Sequence, residues 1–303
     1  MLRRTIVAAI IISADNQMLF GKKSPLHGGV YLDKWHIPGG GVEEGETKEA
    51  ALVRELKEET GLIVSETQLE KFDEIGEMLT LKKMKNGEQV PCQMKFFIYK
   101  VSLSETAAHI TTQAGDDFEA LQWIPVKDLA QYPHTPPSIS LFLRHGFLTE
   151  AEALAQRTFR DADEEIVKYD NSPLKWRVSA YALVIREQEV LIIKNKKEKF
   201  YDVIGGGVEL GETIEDALYR EALEEAGASV RVKKLVHTKV DWFYHKKLDQ
   251  FFQTFQLFYL AELDGELQTP SDSDTQWVGF VPLTEVGKKF QLPLTVQLAL
   301  SQV

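Results

Sequence analysis

Three glutamates in each half of the chain stand at spacings that would bring their carboxylates together. In the first half they are Glu55, Glu58 and Glu59, directly after Arg54. In a helix, residues at i, i+3 and i+4 share one face, where like charges are destabilising unless a cation lies among them. One arginine cannot offset three carboxylates. Because no histidine or cysteine accompanies them, the pattern predicts a divalent cation that prefers oxygen ligands, Mg²⁺ or Mn²⁺.

A run of glycines, Gly39, Gly40 and Gly41, precedes this predicted helix. Glycines let the backbone approach a ligand closely, so a carbonyl group there would join the metal shell and N–H groups would meet phosphate. A metal ion beside a phosphate lowers the pKa of a bound water, which a nearby glutamate can then deprotonate. Carboxylates, a divalent cation and a glycine turn are what phosphoryl chemistry requires, so the pattern predicts an enzyme of that class.

The same stretch occurs twice in the chain. Residues 39–62 align without a gap with residues 205–228, and 16 of these 24 positions are identical. The corresponding residues of the second copy are Gly205, Gly206, Gly207, Arg220, Glu221, Glu224 and Glu225. Upstream, the apolar residues 8–12 match residues 180–184 at a spacing of 172. A repeat of this length indicates two duplicated domains and not a solenoid.

The size and the charge of the chain restrict its class. Its 303 residues are enough for two domains of ordinary size, and no apolar run is long enough to span a membrane. The net charge of −11 argues against nonspecific binding to nucleic acid, so we expect neither a membrane nor a nucleic-acid polymer as a partner. The single cysteine, Cys92, excludes an internal disulfide and indicates a reducing compartment, so we expect a cytoplasmic protein.

Local signals outline the helices that carry the glutamates. Thr47 and Thr213 are predicted to cap the N-termini of these two helices. Gly61 and Gly227 are predicted to end them, because glycine readily takes the left-handed conformation found after a helix. Each glutamate helix would therefore run about three to four turns.

Two strands and a linker complete the predicted organisation. Aromatic and β-branched residues predict strands over residues 93–103 and 251–263. The segment between the two copies is acidic and interrupted by prolines. We place the first domain at residues 1–148, a helical and acidic linker at 149–174 and the second domain at 175–303.

The order and spacing of the box residues resemble the complete Nudix box. The resemblance rests on Gly40-x5-Glu46-x7-Arg54-Glu55-Leu56-x-Glu58-Glu59-x-Gly61-Leu62, and residues 206–228 resemble a second box. The chain is similar to a tandem, MutT-like Nudix hydrolase over residues 3–148 and 175–303. The resemblance implies an α/β fold with two tandem Nudix domains, each an α/β/α sandwich around a mixed β-sheet. It also implies hydrolysis of the pyrophosphate bond in a nucleoside diphosphate linked to another moiety, as in a nucleoside triphosphate or a nucleotide sugar.

Carried over by position, the resemblance assigns roles to the residues of the two boxes. The glutamates of each box would bind Mg²⁺ or Mn²⁺ with the carbonyl group of the first glycine, and one of them would activate water. Which glutamate does so differs across the family, and we favour Glu55. Arg54 would hold the carboxylates in place, and Glu46 would support them, as would Arg220 and Glu212 in the second copy. The predicted catalytic residues are Arg54, Glu55, Glu58, Arg220, Glu221 and Glu224; the predicted metal ligands are Gly39, Glu55, Glu58, Glu59, Gly205, Glu221, Glu224 and Glu225.

Residues beside the glutamate helices are predicted to contact the substrate, a small nucleotide. Gly40, Gly41, Gly206 and Gly207 would approach its phosphate groups. Trp35, which precedes the first glycine run, either stacks on a base or packs at the edge of the core.

Acidic residues in later loops are further candidates for the metal shell, because members of the family often supply one from such a loop. The candidates are Asp116, Asp117 and Glu119 in the first copy and Asp272 and Asp274 in the second. The alternative is that they are solvated loop residues.

Alternatives to two active domains stay open at this point. The second copy differs at packing positions, with Ala222 in place of Leu56, so we expect both sites to be active. One active domain paired with a degenerate ligand-binding or regulatory domain is the alternative. Nudix-like sensors commonly lose box carboxylates and add a DNA-binding domain, and neither feature is seen in this sequence. We expect a monomer with pseudo-dimeric domains or a homodimer.

Overall fold

The computed structural model describes residues 2–23, 30–32, 34–84, 86–87, 89–271 and 274–303. The chain divides into two compact units, Met1–Arg157 and Thr158–Val303, called here the first and the second unit. The predicted linker at 149–174 is shared between them, since it contains a helix of the first unit and two short strands of the second. The predicted domain limits themselves stay a prediction.

The first unit is built on a mixed β-sheet, which has seven strands in the described part of the unit. These are β1 (Leu2–Ile12), β2 (Gln17–Lys23), β3 (Trp35–His36), β4 (Gly39–Gly41), β5 (Glu70–Lys83), β6 (Gln89–Ser102) and β7 (Phe118–Pro125). The order is β3-β2-β1-β6-β5, with β4 paired to β1 and β7 paired to β2. Strands β1 and β6 are parallel, and β1 pairs antiparallel with β4.

Helices cover both faces of this sheet. They are α1 (Lys48–Thr60), which carries the first set of glutamates, α2 (Pro136–Arg144) and α3 (Glu150–Ala155). Successive residues of a strand point to opposite faces. Val7 and Ala9 of β1 accordingly pack in the layer of α1, and Ala8 and Ile10 pack in the layer of α2. The predicted α/β/α sandwich is therefore confirmed.

The second unit repeats the arrangement with two additional short strands. Its strands are β8 (Phe159–Arg160), β9 (Ile166–Val167), β10 (Lys175–Arg186), β11 (Glu189–Asn195), β12 (Tyr201–Asp202), β13 (Ile204–Gly207), β14 (Ser229–His245), β15 (Gln250–Asp264) and β16 (Thr275–Pro282). The helices are α4 (Ile214–Ala226), which carries the second set of glutamates, and α5 (Leu294–Leu300). The order is β12-β11-β10-β15-β14-β8-β9, with β13 on β10 and β16 on β11. No helix in the described residues is both long enough and apolar enough to cross a membrane.

Both glutamate helices begin and end where the sequence predicts. The hydroxyl of Thr47 accepts a hydrogen bond from the N–H of Ala50, and the hydroxyl of Thr213 accepts one from the N–H of Asp216. Gly61 and Gly227 follow the last turns with φ angles of 72° and 63°. These angles lie in the left-handed region, which favours glycine.

The predicted match between the first strands of the two copies is wrong by one residue. Ala8 pairs with Gly39, whereas the residue that pairs with the corresponding Gly205 is Tyr181. The true spacing of these strands is therefore 173. The reason lies in the turn between the two strands, since Ile12 of β1 pairs with Met18, six residues later, whereas its counterpart Ile185 of β10 pairs with Val190, five residues later. A slip of one residue moves every side chain to the opposite face of the sheet.

The sequence analysis also missed the long strands β5 and β14. The register of β5 against β6 shifts twice, first between Lys71 and Asp73, and the register of β14 against β15 also shifts twice. Such bulges interrupt the alternation of apolar and polar residues by which a half-buried strand is recognised. The two strands are also rich in charged residues, which are depleted in strands generally.

We predict that alanine is tolerated better after the first glutamate helix than after the second. Gly61→Ala should lower the free energy of unfolding by about 1 kcal/mol, because alanine is strained in the left-handed region. Gly227→Ala should cost roughly 1–2 kcal/mol more, since its Cβ would also lie 2.6 Å from the Cβ of Gln268. Urea unfolding of both variants measures the difference, and equal midpoints would contradict it.

A buried histidine should make the first unit sensitive to acid. His134 is 1% exposed, and its ring centroid lies 4.9 Å from that of Phe20. The Nε2–H group of His134 donates a hydrogen bond of 2.9 Å to the carbonyl oxygen of Leu129. Burial lowers its pKa from 6.5 to about 4. The unfolded chain therefore binds a proton first as the pH falls, so stability is complete above pH 6.5 and declines towards pH 4. Between pH 7 and pH 4.5 the loss should be about 2–3 kcal/mol.

The control for this loss is His134→Phe, which keeps an aromatic ring but cannot titrate. The variant should be less stable than the natural protein at pH 7, because the hydrogen bond to Leu129 is absent. Its further loss on acidification should be smaller by about the same 2–3 kcal/mol. Urea unfolding of the first unit at both pH values provides the comparison, and identical acid sensitivity of the two proteins would refute the assignment to His134.

Candidate functional site

An arginine lies at the centre of the first site and contacts four groups. Arg54 donates two hydrogen bonds to the carboxylate of Glu46, at 2.8 and 2.9 Å, in a bidentate arrangement. It also donates to Glu55 at 2.9 Å, to Glu58 at 3.0 Å and to the carbonyl oxygen of Gly41 at 3.1 Å. One guanidinium thus connects the glutamate helix to the glycine strand. The hydrogen bonds from Arg54, with one from the N–H of Glu43, lower the pKa of Glu46 to about 2.

The carboxylate of Glu55 lies directly against the backbone of Gly40. A Cβ atom at Gly40 would overlap this carboxylate, so only glycine permits the contact without a shift. The Glu55 side chain is 11% exposed, and its burial raises the pKa of the carboxyl group, while Arg54 opposes that rise. The absence of a side chain at Gly40 therefore allows a close approach of the backbone to the Glu55 carboxylate, and the predicted approach to a bound phosphate stays a prediction.

Glu59 is the most deeply buried of the three predicted metal-binding glutamates, which are Glu55, Glu58 and Glu59. Glu59 is 1% exposed, and its carboxylate accepts a hydrogen bond of 2.7 Å from the N–H of Gly39. Burial raises its pKa to about 8, although Lys23 and the N–H of Gly39 act in the opposite direction. A carboxylate in this position is costly to ionise unless positive charge is brought close to it.

The second site reproduces these contacts. The guanidinium of Arg220 binds Glu212 at 2.7 Å, Glu221 at 2.8 Å and the carbonyl oxygen of Gly207 at 3.1 Å. It lies 3.5 Å from Glu224, compared with 3.0 Å for the equivalent pair in the first unit. The second-unit counterparts of Gly39 and Glu59 also meet, since the N–H of Gly205 donates to Glu225 at 3.0 Å. Burial raises the pKa of Glu221 as it does for Glu55.

The described residues contain no group of three or more acidic, histidine or cysteine side chains arranged to hold a metal ion as they stand. The contacts just described give the reason. Arg54 holds Glu55 and Glu58, while Glu59 turns to the N–H of Gly39. The donor set nevertheless fits a hard divalent cation, because it consists of oxygen atoms, and two of the carboxylates are buried at the cost of a raised pKa. A cation among them would reverse that cost.

An arginine of the first strand also lies at the glycine run in each unit, and the sequence analysis did not identify it. The guanidinium of Arg4 packs against Gly41, where a Cβ would overlap it. In the second unit Arg177 packs in the same way against Gly207, with Nη2 2.6 Å from a built Cβ. The recurrence of this arginine at the true spacing of 173 would have revealed it, but the spacing of 172 does not align the two residues.

A pocket lies beside the glycine strand of the first unit. Its lining includes Gly40 and Arg4 together with side chains of β1, β5, β6 and the start of α2. Trp35 is not among the lining residues; its ring packs edge-to-face on Tyr132 at 6.3 Å and against the core. The neighbouring His36 does line the pocket, with Nε2 2.9 Å from the carbonyl oxygen of Tyr31. A contact between Trp35 and substrate stays a prediction.

The acidic residues predicted as further candidates for the metal shell differ from one another in their surroundings. Asp117 forms a 2.9 Å ion pair with Lys23, and its charge is felt by Glu59. The charge of Asp116 is felt by Glu55, so both aspartates lie near the first box. Asp274 forms an ion pair of 2.7 Å with Lys247. Glu119 is exposed, and Asp272 lies outside the described residues.

The chain is similar to known proteins in its family profile, in its sequence and in its fold. The profile of the NUDIX domain matches residues 2–144 and 175–298. An RNA pyrophosphohydrolase of Hydrogenovibrio crunogenus is 27% identical over 158 residues, which are 49% of this chain and 88% of that protein. The nucleoside triphosphatase NudI of Salmonella paratyphi B is 33% identical over 135 residues, 44% of this chain and 89% of that protein. The solved MutT NUDIX hydrolase from Burkholderia pseudomallei is 24% identical, with a TM-score of 0.36, over 43% of this chain and 98% of its own.

The family profile covers both units and includes both glycine runs and both glutamate helices. The predicted resemblance is confirmed, and so is the predicted class of enzyme. This chain belongs to the Nudix family, carries two Nudix domains and is a hydrolase that acts on pyrophosphate bonds.

Proposed function

We propose that the chain catalyses metal-dependent hydrolysis of a pyrophosphate bond in a nucleoside diphosphate linked to another moiety, and that both units are active. The observation that carries this proposal is the repetition of the arginine-centred site. Arg54 and Arg220 each bind three glutamates and a carbonyl oxygen of the glycine strand. A degenerate second domain would have no need of these contacts. Relatives named RNA pyrophosphohydrolase and nucleoside triphosphatase support the same reaction class.

In the first unit, Glu55, Glu58, Glu59 and the carbonyl group of Gly39 would hold Mg²⁺ or Mn²⁺. In the second unit, Glu221, Glu224, Glu225 and the carbonyl group of Gly205 would do so. When bound, such a cation polarises the phosphorus centre and lowers the pKa of a water molecule.

The remaining steps belong to side chains of the chain itself. Glu55 would take the proton of the attacking water, because Arg54 and Gly40 fix its carboxylate in one position. Arg54 would act as a positioning residue, since it donates hydrogen bonds to two of the glutamates that would bind the metal. Arg4, packed against Gly41, would bind the diphosphate together with the backbone N–H groups of the glycine strand.

We propose a small nucleotide as the substrate and not a nucleic-acid polymer, in keeping with the acidic net charge of −11. The apolar pocket of the first unit would take the base, because planar rings bind favourably among apolar side chains. A cytoplasmic location is proposed on the single cysteine, Cys92, which is free and buried. Whether the chain is a monomer or a homodimer stays a prediction.

Loss of one box glutamate should silence its own unit. We expect Glu58→Gln and Glu224→Gln each to remove part of the pyrophosphatase activity, and the double variant to lose at least roughly a hundredfold in kcat. The assay is phosphate or diphosphate release from a panel of nucleoside triphosphates and nucleotide sugars with Mg²⁺ or Mn²⁺. Removal of the metal with EDTA should abolish turnover in every protein.

The matched control is Glu44→Gln, which makes the same charge change on an exposed residue of the loop before α1. It should leave the activity unchanged. No turnover of any diphosphate by the natural protein would refute the proposed function. Activity that Glu224→Gln leaves intact on every substrate would limit the reaction to the first unit.

A second test concerns the contact between Gly40 and Glu55. Gly40→Ala should displace the Glu55 carboxylate and lower the kcat of the first unit by roughly tenfold or more, because a misplaced base loses much of its effect. The measurement is made in the Glu224→Gln background, which isolates the first unit. Gly76→Ala is the control, since a Cβ there meets no atom within 4 Å. Equal activity of the two variants would show that the contact has no role.

A further inference from the structure

The two units differ in the residue that pairs with the first glycine of the glycine strand. Positions of the two units are equivalent where they have the same strand-pairing partners. Ala8 pairs with Gly39 on one side and with Ile98 on the other. Tyr181 pairs with Gly205 and with Phe258 in the same way. An alanine and an isoleucine of the first unit are thus replaced by two aromatic residues.

In the first unit these small or flexible side chains line the apolar pocket. Its lining includes Ala8, Ile75, Met94, Phe96 and Ile98, which all lie on the face opposite the glutamate helix. The short side chain of Ala8 leaves room for a flat group beside Gly39. This is the place where the proposed function puts the base of the substrate.

In the second unit the same room is taken by a side chain of the protein. The rings of Tyr181 and Phe258 stack with centroids 4.9 Å apart and an angle of 16° between their planes. The Tyr181 ring also reaches the glycine strand, since its Cδ1 lies 3.0 Å from a Cβ built on Gly205. A stacked pair of this kind is favourable in itself, so an incoming base would have to displace it.

The surrounding wall changes from apolar to polar. Lys239 pairs with Gln256 where Ile75 pairs with Phe96, and Thr254 takes the place of Met94. On β10, Ser179 takes the place that Ile6 has on β1, and Ser179 is 3% exposed. Four apolar positions of the pocket therefore carry hydrogen-bonding groups in the second unit.

Two of the polar groups on this face are buried without a partner. Among the described residues, neither Oε1 of Gln256 nor Nε2 of His237, which pairs with Phe258, has a hydrogen-bond partner. Buried polar atoms are almost always bonded, and an exception of this kind calls for a water molecule or a ligand. Nζ of Lys239 lies on the same face and contacts Asp241 at 2.8 Å and Thr295 at 3.3 Å.

We propose that the second unit binds a diphosphate whose pocket-side group is non-aromatic and rich in hydroxyl groups, and that Tyr181 excludes the base admitted by the first unit. Such a group includes the sugar end of a nucleotide sugar. The proposal rests on the proposed function, because it concerns the specificity of the same hydrolysis. Hydroxyl groups donate and accept hydrogen bonds, so they match Gln256, Ser179 and Lys239. They also do without the flat space beside Gly205 that a base would need and that the Tyr181 ring fills.

The experiment isolates the second unit with Glu58→Gln and compares two kinds of substrate. The probes are the four ribonucleoside triphosphates, which present a base, and 5-phosphoribosyl 1-diphosphate, which presents hydroxyl groups and no base. We expect kcat/KM for the second probe to exceed that for every triphosphate by roughly tenfold or more. Adding Tyr181→Ala should raise kcat/KM for the triphosphates by roughly tenfold, whereas Tyr181→Phe should not, because it retains the ring.

Two further variants protect the test against loss of folding. Ala8→Tyr, made with Glu224→Gln to isolate the first unit, should lower triphosphate turnover by roughly tenfold. Gln256→Leu should raise KM for 5-phosphoribosyl 1-diphosphate with little change in kcat, which a general loss of structure would not do. The proposal is overturned if the second unit prefers triphosphates, turns over neither probe, or loses triphosphate activity with Tyr181→Ala. If the natural protein hydrolyses no diphosphate, the proposed function fails with it.

Discussion

Repulsion among carboxylates on one face of a helix is the constraint on which each unit depends. Two of these carboxylates, on Glu55 and Glu59, are also buried, where a charge is costly to maintain. A single arginine on the same helix, Arg54, offsets this repulsion by binding the carboxylates of Glu55 and Glu58 to the glycine strand. The arrangement preserves the positions of the acidic groups while leaving them available to a stronger cation.

The central sheet lies between the glutamate helix of the first unit and most of the apolar side chains that line the pocket. Val7 and Ala9 support the glutamate helix, while Ala8 between them faces the pocket. In the second unit Ala180 and Ala182 support the helix, and Tyr181 faces the other way. Under the proposed function, alternate residues of one strand would support the chemistry and set the specificity. This explains why the boxes are nearly identical in contacts although the pockets are not.

Much of the fold and of the site was accessible from the sequence, because the signals are local. The caps at Thr47 and Gly61, the helix between them and the close approach at Gly40 follow from residue types at short spacing. The Nudix family and its α/β/α sandwich were recognised from the same stretch. The features that could not be predicted from the sequence depend on pairing between segments that are distant along the chain. The partner of Gly205 is set by the length of a turn, and a spacing of 172 favoured the alanine beside Tyr181.

The same dependence on distant pairing hid the strands β5 and β14, whose bulges break the two-residue pattern. It also hid Arg4, which approaches Gly41 only because β1 lies beside β4. The contacts of Trp35 with Tyr132 belong to this group as well, since no local signal separates a ring that packs inward from one that meets a ligand.

The opposite orientation of neighbouring residues on β1 and β10 has a consequence for how such a protein changes over evolutionary time. Under the proposals above, a substitution at Ala8 or Tyr181 would alter what the pocket admits, yet these residues pack on the face of the sheet opposite the glutamate helix. The specificity of one copy can therefore change by neutral substitution while the residues that support catalysis stay the same. After a gene duplication, loss of catalysis is usually what prevents such a change. In a fused chain both copies are also produced in equal amounts, so an altered copy is retained beside its parent while selection acts on it.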